Sequence, residues 1–196
     1  MAMALGTRVL LALALVLVGC GAPPSPPPFP QLSSFAEDSG VEEQIAERIA
    51  ACASKPRDAE RWRRLALALE ANERFDEAAG FYRHALALDP ENARAEYRLA
   101  ATLEAMSQYR EAARHFARAG ELDAAIGLPW RRLGQVQLAL GDLDGAQEAF
   151  ARAARLGEGL PAVVGLAEVE LASKRPDAAL SLLLPHEKEA ALWAPL

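Results

Sequence analysis

Residues 59–92 read AERWRRLALALEANERFDEAAGFYRHALALDPEN, and the spacing of their apolar residues decides the fold. Trp62, Leu65, Ala66 and Leu69 recur at i, i+3, i+4 and i+7, which puts them on one face of a helix running from Arg61 to Ala71. Asn72-Glu73-Arg74 interrupts that period and reads as a turn. Ala78, Tyr82 and Ala85 resume it in a partner helix from Asp76 to Leu88, ahead of Pro90. The small side chains of Ala66, Ala78 and Ala85 let the two backbones approach, and Trp62, Leu65, Leu69, Phe75 and Tyr82 fill the volume between them. One such hairpin cannot bury its own apolar face, so neighbours of the same kind are expected.

They are present at a fixed period. A step of 34 residues reaches Glu96, Leu99, Ala100, Leu103, Ala112, Phe116 and Ala119. A second step of 34 reaches Trp130, Leu133, Gly134, Ala146, Phe150 and Ala153, with Gln137 where leucine is expected. A last step of 33 gives a weaker match at Val163, Leu166, Ala167, Ala179 and Leu183. Gly141 ends the first helix of the third hairpin, and Asp142 is available to cap the next. The eight places Trp62, Leu65, Ala66, Leu69, Ala78, Tyr82, Ala85 and Pro90 carry the pattern of the tetratricopeptide repeat, which this segment resembles. The resemblance implies an all-α chain, a short solenoid of antiparallel helix hairpins at about 59–92, 93–126, 127–159 and 160–192. A helix within 36–58 precedes them as a cap or as half of a degenerate repeat. Residues 193–196 remain as a tail, and the apolar end from Leu180 to Leu196 reads as a cap or as a docking segment.

In proteins of this family the first helices of successive hairpins line a concave groove. The resemblance therefore assigns protein binding to Arg63, Leu67 and Glu70, then Tyr97, Ala101 and Glu104, then Arg131, Gln135 and Leu138. Arg63, Tyr97 and Arg131 lie one period apart and are expected to form a continuous stripe. Arginine and tyrosine are enriched at interfaces. Grooves of this family that clamp a C-terminal carboxylate use paired asparagines; here the corresponding places include Leu67, Ala101 and Gln135, so that mode of binding is not expected.

The N-terminus carries a different signal. Arg8 precedes an unbroken apolar run from Val9 to Val18, too short to span a bilayer and followed by small residues, as in a signal peptide over 1–19. Leu17-Val18-Gly19-Cys20 resembles the lipobox of bacterial lipoproteins, which implies cleavage before Cys20 and acylation of its thiol and new amino group. Several acyl chains hold a domain firmly at a bilayer where one does so marginally. An ordinary secretory peptide, or a membrane helix, with a chance cysteine is the alternative. Gly21 stands where aspartate would signal inner-membrane retention, so the periplasmic face of the outer membrane is the expected location, with inner-membrane anchoring left open. Six prolines between Pro23 and Pro30 make 20–35 a lipidated, extended tether. Cys52 recurs with Ile45 and Ile49 at helical spacing and is read as buried; a mixed or intermolecular disulfide is the other reading.

Charge and chemistry narrow the function. With 21 basic and 27 acidic residues the chain carries a formal charge of -6, and no basic stripe fits nucleic acid. His84, His115 and His186 each lack a second histidine or cysteine at ligand spacing, so no metal site is expected. Gly157-Glu158-Gly159 is no phosphate loop, and no serine sits in a nucleophile elbow. No catalytic residue and no cofactor are assigned. The expected function is a lipid-anchored adaptor or assembly factor of the bacterial envelope, binding envelope proteins or their segments and the membrane through Cys20. Repeat lipoproteins of type IV pilus and outer-membrane assembly are the resembled group. A structural homo-oligomer or a non-catalytic accessory subunit is the alternative.

Overall fold

The structure, a computed structural model, describes residues 39–186; the expected signal segment, Cys20, the expected tether and residues 187–196 lie outside the described residues. Every α-helix follows the hairpin plan: α1 (Ser39–Ser54), α2 (Ala59–Ala71), α3 (Phe75–Leu88), α4 (Ala93–Ala105), α5 (Tyr109–Leu122), α6 (Leu128–Ala139), α7 (Leu143–Ala153), α8 (Gly159–Ala172) and α9 (Pro176–Leu183). Pairs α2/α3, α4/α5, α6/α7 and α8/α9 are the hairpins, each packed on the next, and α1 packs on α2. The fold is therefore a helical repeat solenoid, as the sequence period requires. No described helix is long and apolar enough to cross a membrane.

The hairpin turns repeat in atomic detail. The backbone N–H groups of Arg74, Gln108, Asp142 and Arg175 donate to the carbonyls of Leu69, Leu103, Gln137 and Glu170, five residues back, the bond that closes a helix C-terminus. The residue before each donor adopts a left-handed conformation: Glu73 (φ 58°), Ser107 (φ 59°), Gly141 (φ 77°) and Lys174 (φ 60°). Only Gly141 does so without the steric cost of a Cβ. Helix starts repeat too. The side chain of Asp58 accepts from Arg61 N at 3.4 Å, Asn92 from Ala95 N at 3.0 Å, and Asp142 from Gly145 N at 3.1 Å.

The core is continuous from α1 to Ala162 at the start of the fourth hairpin. Trp62 is fully buried, donates from Nε1 to the Pro56 carbonyl at 2.8 Å, and stacks on Phe81 with centroids 5.6 Å apart. Ile45 and Cys52 of α1 join the same cluster, which makes α1 a lid on the first hairpin. Burial pushes the Cys52 thiol up to about 11, so it stays protonated and unreactive. Phe150 belongs to a smaller cluster with Ala146 and Val169, flanked by Leu138, Leu143 and Leu166. Its ring occupies the space of an absent side chain at Gly165, where an added Cβ would lie 2.3 Å from a ring carbon. The connection into the fourth hairpin differs from the others: α7 runs into a π-turn, Ala154–Glu158, with Gly157 at φ 91°.

Candidate functional site

Two concavities open along the first helices of the hairpins. The first concavity, about 570 Å³, has Arg63 and Leu67 of α2, Arg94, Tyr97 and Arg98 of α4, and Ile126, Leu128 and Pro129 around the start of α6 among its lining residues. The second, about 480 Å³, lies between α6 and α8 and is lined by Arg131, Gln135, Leu160, Pro161 and Val164. Arg63 and Tyr97 thus share one concavity and Arg131 faces another. Glu158 of the π-turn accepts from Arg131 Nε at 2.7 Å, so Arg131 has an internal partner at the second concavity.

Each wall of the first concavity has a local cause. Arg63 donates twice to Glu60, one turn back, at 2.6 and 2.7 Å, and its side chain is only 14% exposed. That hydrogen bonding, with Arg64 on the same carboxylate, holds Glu60 well below the usual range, at about 2. Leu67 stands at the surface, 36% exposed. Tyr97 is half-buried edge-on against Phe116, centroids 5.5 Å apart, which fixes its ring as part of the floor. Arg94 is exposed and has no ion-pair partner among the described residues. The concavity therefore offers an apolar floor, a positioned aromatic ring and one cation free to meet a ligand, while Asp123 lies on the same lining. Arg94, Arg98, Ile126, Leu128 and Pro129 were missed by the sequence reading. Arg94, Ile126, Leu128 and Pro129 come from a helix start or the inter-hairpin loop, outside the groove pattern of the repeat, and Arg98 directly follows Tyr97 within α4.

Glu70 and Glu104, assigned to the groove from sequence, each pair with an arginine of the next hairpin. Glu70 accepts from the Tyr82 hydroxyl at 2.6 Å and from Arg98 at 3.3 Å. Burial, then the neighbouring Glu70 carboxylate, push the Tyr82 hydroxyl up, so it remains a donor. Glu104 accepts from Arg132 at 2.6 Å, 28 residues ahead, the same step as Glu70 to Arg98. Burial raises Glu104 above the usual carboxylate range, and Arg132 opposes that shift. Leu138, the third residue of this series, packs half-buried beside the Phe150 cluster. Gln135 stays exposed in the second concavity, and Ala101 is half-buried against the core.

The histidines are packed or paired. His84 meets the edge of Trp62 at 4.7 Å, and burial lowers it, favouring the neutral ring. His115 Nδ1 lies 2.6 Å from a Glu96 carboxylate oxygen, so the polar residue standing at the opener of the second repeat has an internal partner. Among the described residues, no group of three or more His, Cys, Asp or Glu could hold a metal ion.

The chain matches the tetratricopeptide repeat over residues 59–92 and again over 131–189. No curated protein matches it. Among solved structures, MamA superposes with a TM-score of 0.71 at 20% identity, over 80% of this chain and 88% of that one. A MamA fragment, residue 41 to the end, from Desulfovibrio magneticus RS-1 gives 0.71 at 18% identity, over 80% and 89%. YrrB, described as a TPR protein with an unusual peptide-binding site, gives 0.62 at 25% identity, over 71% and 73%.

Proposed function

From the premise that these hairpins are tetratricopeptide repeats, we propose that the protein is a lipid-anchored adaptor of the bacterial cell envelope that binds a segment of another protein in its first concavity. The observation that carries the reading is the makeup of that concavity: an exposed Leu67, a Tyr97 ring held by Phe116, and an Arg94 without an internal partner. An apolar floor with a few fixed polar groups suits an extended or helical peptide, whose side chains fill the floor while its polar groups meet the rim. The peptide-binding site named for YrrB supports this use of the fold. The anchor rests on Leu17-Val18-Gly19-Cys20 after the apolar run from Val9, and Gly21 favours the outer membrane. The described residues supply no constellation of nucleophile, base and orienting group, so the adaptor reading needs no chemistry of its own.

The test has two arms. Metabolic labelling with an alkyne-bearing palmitate should mark the wild type and leave Cys20→Ala unlabelled and released from membranes; labelling of Cys20→Ala would remove the anchor from the reading. Crosslinking and mass spectrometry in the native envelope should recover a distinct partner that Leu67→Asp and Arg94→Glu lose and Arg131→Glu keeps. If all three variants retain the same crosslinks, the concavity is not the site. The repeat lipoproteins of pilus and outer-membrane assembly give the first candidate partners.

A further inference from the structure

Two neighbouring second helices carry opposite charge at the same places in the repeat. On α5, Arg110, Arg114 and Arg118 recur every four residues and so share one face of the helix. A step of 34 residues from each reaches Asp144, Glu148 and Arg152 on α7. Arg110, Arg114, Asp144 and Glu148 are all exposed, and none has an ion-pair partner among the described residues. Arg118 differs in pairing with Glu121 at 3.5 Å, and Arg152 in lying 3.7 Å over the Trp130 ring. Leu140, 40% exposed, stands beside the basic row and lines a depression of about 420 Å³ with Arg110 and Arg114. The alternation of charge decides what this face fits. A membrane or another uniformly anionic surface would meet Asp144 and Glu148 alongside the arginines, and Asp76 of α3 stands one period back from Arg110. A basic row beside an acidic row is instead complementary to itself when turned about a two-fold axis, each copy giving arginines to one half of the contact and carboxylates to the other.

We infer that this face is an interface between two copies of the chain, with Arg110 and Arg114 of one copy against Glu148 and Asp144 of the other. Both α5 and α7 run from the turn of a hairpin toward the next hairpin, so a two-fold axis between them sets α5 of one copy antiparallel to α7 of the other. The four-residue spacing of the arginines then matches the four-residue spacing of the carboxylates. Leu140 of each copy supplies apolar contact beside these pairs. Two helix faces about 20 Å long and about 10 Å wide offer on the order of 400 Å² per copy, about half of what each partner of a standard interface contributes. Exposed ion pairs are individually weak and screened by salt. The dimer is therefore weak, depends on concentration and dissociates at high salt. None of these residues lines either concavity, so this contact and the adaptor site are separate surfaces.

The test is sedimentation of the full chain in detergent at low salt, over a concentration series, with the charges exchanged. Wild type should show a monomer–dimer equilibrium. An acidic variant, Arg110→Glu with Arg114→Glu, and a basic variant, Asp144→Arg with Glu148→Arg, should each self-associate at least about tenfold more weakly. Their equimolar mixture should recover a dimer as tight as wild type, because every pair is then opposite again. All four sites are exposed, and helical circular dichroism equal to that of wild type shows that each variant keeps its fold. A wild type that stays monomeric throughout the series would overturn the proposal. So would variants that dimerise as tightly as wild type, or a mixture that associates no better than its components.

Discussion

The joint between the first two hairpins and the joint between the last two are made at the same places in the repeat by opposite means. At the first, Glu70 is met by a hydroxyl and a guanidinium, Tyr82 and Arg98, in one part-buried polar contact. At the last, Leu138 stands where Glu70 did, Gly165 where Arg98 did and Phe150 where Tyr82 did, and a ring closes on bare backbone. The second joint is a hybrid. Glu104 and Arg132 keep the ion pair, but Phe116 has no hydroxyl to donate, and Arg132 Nε is buried without an acceptor while its guanidinium sits 5.8 Å over the Phe116 ring. One architecture thus tolerates a directional polar joint and a steric one. They should fail differently: the polar joint when a partner is removed, the steric joint when an atom is added.

The largest effect should come from adding an atom at the steric joint. Gly165→Val is expected to destabilise the chain by about 3 kcal/mol through overpacking, measured by denaturant unfolding. Combining it with Phe150→Leu should recover part of that loss; no recovery would mean that Gly165 is needed for something other than the ring's approach.

Removing a partner at the polar joint comes next. Glu70→Ala leaves Tyr82 and Arg98 facing each other without an acceptor and should cost about 2 kcal/mol. Leu138→Ala, at the same place in the third hairpin, removes only a half-buried side chain and should cost less. Equal losses at both would erase the distinction between the joints.

The hybrid joint can be completed. Phe116→Tyr puts a hydroxyl where Tyr82 has one and should stabilise the chain by about 1 kcal/mol if it reaches Glu104 as Tyr82 reaches Glu70. The same carboxylate gives a pH test. Because burial raises Glu104 in the folded state, the fold holds its proton more tightly than the unfolded chain does. Its contribution is then fully present below the unfolded value and is lost as pH rises through the folded one. Stability should fall over that window just above the ordinary glutamate range, and Glu104→Gln should flatten the fall in a pH series of unfolding midpoints.

The smallest effects belong to the turns. Ser107→Gly relieves a left-handed serine and should change stability by a few tenths of a kcal/mol in the favourable direction, while Gly141→Ala should cost about 1 kcal/mol.

Much of this was legible in the sequence because periodicity survives the loss of individual residues. Trp62, Leu65, Ala66 and Leu69 are enough to phase the first hairpin, and steps of 34 and 33 residues locate the rest. Gly141 and Asp142 were recognisable as helix punctuation from residue type alone. The broken period marked a turn at Glu73, but the left-handed conformation of Glu73, Ser107 and Lys174 was not legible, since these residues carry no glycine signal. The concave site was legible in part. Arg63, Leu67 and Tyr97 were picked out by period, but a period cannot tell which face residues are claimed by neighbours. Glu70 and Glu104, assigned to the groove by period, pair with Arg98 and Arg132, each 28 residues ahead. That recurring spacing is present in the sequence and could have been found. The pairing of Arg131 with Glu158 could not, because it depends on the π-turn that brings Glu158 back to α6.

The most direct measurement of the adaptor account is a paired photocrosslinking experiment in the native envelope, with p-benzoylphenylalanine placed at Leu67 in the first concavity or at the exposed Arg114 of α5. The account predicts that the probe at Leu67 captures one envelope protein reproducibly and that the probe at Arg114 does not. Capture of that protein from Arg114 alone would contradict it and move the binding surface away from the concavity.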